Sequence, residues 1–119
     1  MGFALTSITL NTPHLQDMLE FYQILGFSFT VFQVDKGSEA YRARQGGIEI
    51  SLYSTAAPAE KARTPSFQWS FQIADLEKVV KDLEQVSGTL CILDPTMMAD
   101  GKKAIILDPD GNAVELSED

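Results

Sequence analysis

Apolar positions along this chain fall into one order of elements that is met twice. In residues 3–11 (Phe-Ala-Leu-Thr-Ser-Ile-Thr-Leu-Asn) apolar and polar positions alternate, as in a half-buried strand. Thr12-Pro13 follows, an N-cap residue with proline at the first helical position. Met18, Phe21, Tyr22 and Leu25 then recur at i, i+3, i+4 and i+7. That spacing lines one stripe of a helix, and Gly26 suits the left-handed residue that ends it. Three strands are predicted next, over residues 27–34, 40–45 and 48–53. They are parted by Asp35-Lys36-Gly37-Ser38 and by Gly46-Gly47, both good turn sequences.

Residues 55–66 carry alanines, prolines and polar residues without periodicity and read as a connector. The order then repeats. Residues 67–73 alternate between large apolar side chains and Gln68, Ser70 and Gln72. Asp75 stands as the cap of a helix whose Leu76, Val79, Val80 and Leu83 have the same spacing as before, with Gly88 ending it. Residues 89–93, 103–107 and 113–117 supply three more strands, with a loop predicted over 94–101. The pattern predicts an α+β fold of two βαβββ modules in a single domain spanning 1–119: module one at about 1–54, the connector at about 55–66 and module two at about 67–119.

One helix can cover only one face of its module's sheet. Alternation assigns Ile8, Leu10, Ile48, Ile50, Leu52, Phe67, Trp69, Phe71, Ile73, Val114 and Leu116 to the helix side. The opposite side carries Ser7, Thr9, Glu49, Ser51, Tyr53, Gln68, Ser70, Gln72, Glu115 and Ser117. A face that polar is unsuited to a dry interface, which predicts a polar cleft between the two sheet halves.

Size and charge narrow the function classes. A chain of 119 residues is long enough for one core and needs no second. Its formal charge of −8 argues against nucleic acid or an anionic membrane as partner. No apolar run approaches the ~20 residues of a membrane span, and the N-terminus lacks the character of a secretory signal, so a cytoplasmic protein is expected. The single cysteine, Cys91, lies in a strand-like run and reads as a structural thiol rather than a reactive one.

The most specific local signal is Leu107-Asp108-Pro109-Asp110-Gly111-Asn112-Ala113-Val114-Glu115-Leu116. Asp, Pro and Gly at the first, second and fourth places favour a type I turn, and the strand after it sets Glu115 on the face opposite Val114 and Leu116. Together with Phe21-Tyr22, Leu25-Gly26-Phe27 and the doubled strand-helix-strand-strand-strand order, this segment resembles the vicinal oxygen chelate superfamily. Glyoxalase I, bleomycin-resistance proteins and extradiol dioxygenases belong to that superfamily.

The resemblance implies a homodimer and a cleft in which enzymes of the family hold a divalent metal (Mn, Ni, Fe, Zn or Mg) with one residue from the first and last strands of each module. Carried over, those positions are Ser7, Glu49, Gln68 and Glu115. Glu49, Gln68 and Glu115 offer oxygen donors to a hard cation, whereas the short, neutral Ser7 is a poor ligand. Two readings follow. In the first, the protein is a small-molecule binder without a metal, with Glu49, Tyr53, Gln68 and Glu115 as ligand contacts. In the second, it is a metal-dependent glyoxalase-like lyase or related enzyme acting on a substrate with vicinal oxygens, with Glu115 as general base. The two carboxylates favour a cationic or neutral ligand when no metal is present. Arg42 and Arg44 share one strand face and are read as exposed cations balancing an acidic protein. His14 is read as a surface residue.

Overall fold

The computed structural model describes residues 2–35, 38–55 and 68–118, the side chains of Asp35 and Ser38 excepted. The connector over 55–66 lies almost wholly outside the described residues, as do the Lys36-Gly37 turn centre and Phe67. The chain divides into two compact units, Met1–Ala59 and Glu60–Asp119.

In the first unit the strands are β1 (Ser7–Thr12), β2 (Thr30–Asp35), β3 (Ser38–Gln45) and β4 (Ile48–Ser54), with α1 (Leu15–Leu25) between β1 and β2. The sheet order is β1-β4-β3-β2; β1 runs parallel to β4 and the other pairs are antiparallel. Gly46 and Gly47, at φ 57° and 88°, close the two-residue hairpin between β3 and β4. Only glycine adopts both angles without strain, and the turn fixes the β3–β4 register. Met18, Leu19, Phe21 and Tyr22 are the buried residues of α1, which packs on β4, whose Ile50 and Leu52 are buried on the helix side. Tyr22 meets Phe21 and Phe27 edge-on at 4.9 and 6.0 Å.

Several boundaries differ from the sequence pattern: β2 starts at Thr30 rather than at residue 27, and β3 at Ser38 rather than at residue 40. The first strand begins at Ser7, and Phe3 and Leu5 stand exposed before it. The helix begins two residues after Pro13, because the Thr12 hydroxyl accepts the His14 N–H at 2.9 Å and closes a local turn there. Gly26, at φ 126°, ends the helix as the pattern requires.

The second unit has β5 (Gln68–Ile73), α2 (Leu76–Leu83), β6 (Leu90–Met98), β7 (Gly101–Leu107) and β8 (Ala113–Glu118), in sheet order β5-β8-β7-β6, with β5 parallel to β8. Leu76, Val80 and Leu83 of α2 are buried, as are Ala104, Ile106, Val114 and Leu116 of the sheet beneath it. Asp75 occupies the N-cap position at φ 59° and ψ 55°, but its side chain makes no capping bond. Glu118 Oε2 accepts the Leu76 N–H instead, at 3.1 Å, so the last strand caps the helix. Helix α2 ends at Leu83, short of Gly88. The positive φ of Gly88 (88°) serves a turn whose Thr89 hydroxyl donates to the carbonyls of Val86 and Leu83 at 2.9 and 3.2 Å.

The expected loop over 94–101 is strand through Met98, with register irregularities flanking Leu93. Proline is tolerated there because β6 is an edge strand, where the N–H that Pro95 lacks need not serve a ladder. Each module therefore forms an open four-stranded mixed sheet with one helix, the α+β architecture read from the pattern.

Candidate functional site

The ladders fix which candidate side chains meet within each unit. In the first, Ser7 pairs with Glu49 across β1 and β4, and Glu49 pairs with Arg44 across β4 and β3. One step along, Thr9, Ser51, Arg42 and Thr30 form the next row. Glu49 is engaged by both arginines: Arg44 Nη2 donates to Oε1 at 3.2 Å, and Arg42 Nη1 stands 3.7 Å from Oε2. The Arg42 guanidinium lies over the Phe32 ring, 3.9 Å from its centroid, and Phe32 meets Tyr53 edge-on at 5.9 Å. Ala40, the ladder partner of both Phe32 and Tyr53, is fully buried at the base of this row.

The second unit treats Glu115 in a parallel way with other residues. Ser70, its partner across β5 and β8, donates its hydroxyl to Glu115 Oε1 at 2.7 Å. Lys103 Nζ lies 3.9 Å from Oε2 while donating to Asp100 Oδ2 at 2.9 Å. The bond to Asp100 holds Lys103 above the ordinary lysine range, with Glu115 adding to the effect, and holds Asp100 below the ordinary carboxylate range. Gln68 is exposed on the same strand as Ser70 and pairs with Ala113, two pairs away from Glu115.

The turn before β8 positions Glu115. Asp108 is fully buried; its Oδ1 accepts the N–H groups of Asp110 and Asn112 and its Oδ2 the Asn112 side-chain amide, each at 2.9 Å. The Gly111 N–H donates to the Asp108 carbonyl at 2.8 Å, closing the expected turn, with Gly111 at φ 90°.

A divalent cation fits these donor sets poorly. Ser7 is a neutral hydroxyl opposite Glu49, and each carboxylate already has cationic partners in its own sheet: Arg42 and Arg44 for Glu49, Lys103 for Glu115. A metal ion would have to displace or face these cations. Another three-donor group is Glu84, Cys91 and Asp94, whose ligand atoms lie within 4.8 Å of one another. Cys91 Sγ there donates to Asp94 Oδ1 at 3.4 Å. Burial first, and Asp94 second, push the thiol up to about 11, which opposes the thiolate a metal would need. His14 is exposed, as expected.

Sequence reasoning missed the engagement of Arg42 and Arg44 with Glu49. The signal was there: a two-residue Gly46-Gly47 turn sets Gln45 against Ile48, and therefore Arg44 against Glu49. It missed Ser70 and Lys103 for a different reason, since neither the parallel β5–β8 register nor the chain-distant Lys103 contact follows from a local turn.

Comparison with known proteins agrees with the fold. Residues 4–54 match a family described as "Lactoylglutathione lyase, putative-like, N-terminal". A search of curated protein sequences finds no match. Among solved structures, a glyoxalase-related enzyme from Fulvimarina pelagi superposes with a TM-score of 0.76 at 15% identity, over 98% of this chain and 88% of that one. A glyoxalase/bleomycin resistance protein/dioxygenase family enzyme from Burkholderia phytofirmans gives 0.67 at 17%, over 95% and 96%. A glyoxalase I mutant from Zea mays gives 0.76 at 17%, over 95% of this chain and 46% of that one. The chain thus has the glyoxalase fold, and the family match to its first half supports the vicinal oxygen chelate superfamily to which its motifs point. Among the described residues, no helix is long and apolar enough to cross a membrane.

Proposed function

We propose that this protein binds a small molecule on the polar faces of its two sheets without a resident metal, as a homodimer, with Glu49, Tyr53, Gln68 and Glu115 among the ligand contacts. The observation that carries the reading is the pairing of both carboxylates with cations of their own sheets, at 3.2 and 3.7 Å for Glu49 and 3.9 Å for Glu115. A carboxylate so engaged is an acceptor of defined geometry and a poor free ligand for a divalent ion. Ser7 at the remaining position points the same way. Metal analysis of protein purified without chelators, with thermal melts in Mn, Ni, Fe, Zn and Mg, tests this. The proposal expects sub-stoichiometric metal and unchanged melting; one equivalent of metal, lost in Glu115→Gln, would overturn it. The dimer is checked by mass in solution at micromolar concentration, where a monomer contradicts it.

The second reading, a metal-dependent glyoxalase-like lyase with Glu115 as base, draws its support from the lactoylglutathione lyase description of the family matched by residues 4–54. In this reading Oε2 of Glu115 is the basic atom, since Oε1 accepts the Ser70 hydroxyl at 2.7 Å and Lys103 stands 3.9 Å from Oε2. Lyase activity on a hemithioacetal, dependent on added metal and abolished by Glu115→Gln, would favour it over the first.

A further inference from the structure

The geometry points to a binding site for a planar carboxylate on the β2–β3–β4 face of the first unit, built from Arg42, Arg44, Phe32 and Tyr53, with Glu49 as its internal competitor. This inference rests on the small-molecule reading and names the ligand class for one of the two sheet faces, where Glu49 meets the ligand as a rival for the same guanidinium groups rather than as an acceptor. It reverses the sequence expectation of a cationic or neutral ligand there.

Charge is the first argument. Arg42, Arg44 and Glu49 share this face, so two guanidinium groups meet one carboxylate and leave a local excess of positive charge in a chain of formal charge −8. Donor capacity is the second. Each guanidinium carries five N–H donors. Glu49 takes one hydrogen bond, from Arg44; Arg42 stands beyond hydrogen-bond distance at 3.7 Å and donates none among the described residues. The pair can therefore accept a second carboxylate.

Preorganisation is the third argument. The cation–π contact of Arg42 with Phe32, 3.9 Å from guanidinium carbon to ring centroid, restrains the Arg42 side chain beside Glu49. The edge-on Phe32–Tyr53 pair, with buried Ala40 at its base, supplies an aromatic wall beside those donors. Guanidinium edges next to aromatic surface suit a ligand whose carboxylate is conjugated to a ring. Glu49 occupies the place that a ligand carboxylate would take between the two arginines. It orders both arginines, and a ligand must share or displace it.

The test is titration of the full chain with benzoate, followed by backbone amide shifts, with benzamidine and inorganic phosphate as controls. Benzoate is expected to shift amides of β3 and β4. Glu49→Gln should tighten its binding about tenfold by removing the competitor, and Arg42→Gln should weaken it at least about tenfold by removing a charged donor. Phe32→Leu should weaken benzoate more than phosphate, because benzoate loses both the aromatic wall and the ordering of Arg42 whereas phosphate loses only the second. Benzamidine binding that Glu49→Gln abolishes would overturn this inference and leave the small-molecule reading intact. No response of these amides to benzoate, or equal responses to benzoate and phosphate, would also overturn it. The proposed function fails separately, on stoichiometric metal retention.

Discussion

Asp108 offers the sharpest test of how the turn sets the position of Glu115. Its side chain is fully buried and accepts three hydrogen bonds, two from the backbone N–H groups of Asp110 and Asn112 and one from the Asn112 amide, all at 2.9 Å. Asp108→Ala strands those three donors in a part-buried turn. Each bond to a charged group contributes about 1.5–3 kcal/mol, and bonds sharing one acceptor do not add fully, so a loss of about 3–5 kcal/mol is expected. That is a large part of the roughly 5–15 kcal/mol that holds a domain of this size. Asp108→Asn keeps one oxygen for the two backbone donors and sets an amide against the Asn112 amide, so about 1–2 kcal/mol should go instead. Urea unfolding followed by far-ultraviolet circular dichroism measures both, the midpoint shift at constant slope giving the difference. A cost below about 1 kcal/mol for Asp108→Ala, or equal costs for the two variants, would refute the view that the carboxylate's acceptor geometry organises the turn.

Glu118→Ala should cost about 1 kcal/mol in the same assay by uncapping α2, whereas Asp75→Ala, at the formal cap position, should change stability by less than half of that; the reverse order would contradict the cap drawn from β8. Cys91, with its thiol pushed up to about 11 by burial and by Asp94, should react with iodoacetamide at pH 8 about a hundredfold more slowly than an unperturbed thiol. Its rate should climb through pH 10–11. A thiol whose pKa is raised on folding favours the folded state below the unfolded value of 9.0 and loses that contribution as pH rises through about 11. Asp94→Asn should accelerate the reaction at pH 8; an unchanged rate would remove Asp94 from the account.

Much of the architecture was legible in the order of residues because its cause is local. The Met18, Phe21 and Tyr22 stripe, the Gly46-Gly47 hairpin and the Asp108-Pro109-Asp110-Gly111 turn each depend on spacing or on backbone angles that few residue types accept. Boundaries were lost where a side chain or a strand's position in the sheet competes with propensity. Thr12 delays α1 by taking the His14 N–H, and β6 runs through Pro95 because it lies at an edge.

The candidate site divides along the same line. Alternation alone set Glu49, Tyr53, Gln68 and Glu115 on the faces away from the helices, since a strand's side chains have a period of two whatever their surroundings. Their partners depend on pairing between distant segments. Only the parallel β5–β8 register brings Ser70 rather than Gln68 opposite Glu115, and only the folded sheet brings Arg42, lying over Phe32, beside Glu49. The sequence by itself determined the repeated elements and their polar faces, because these follow from period and turn chemistry. Tertiary structure decided which charge each carboxylate meets, because an ion pair needs a few ångströms of proximity that no spacing along the chain specifies.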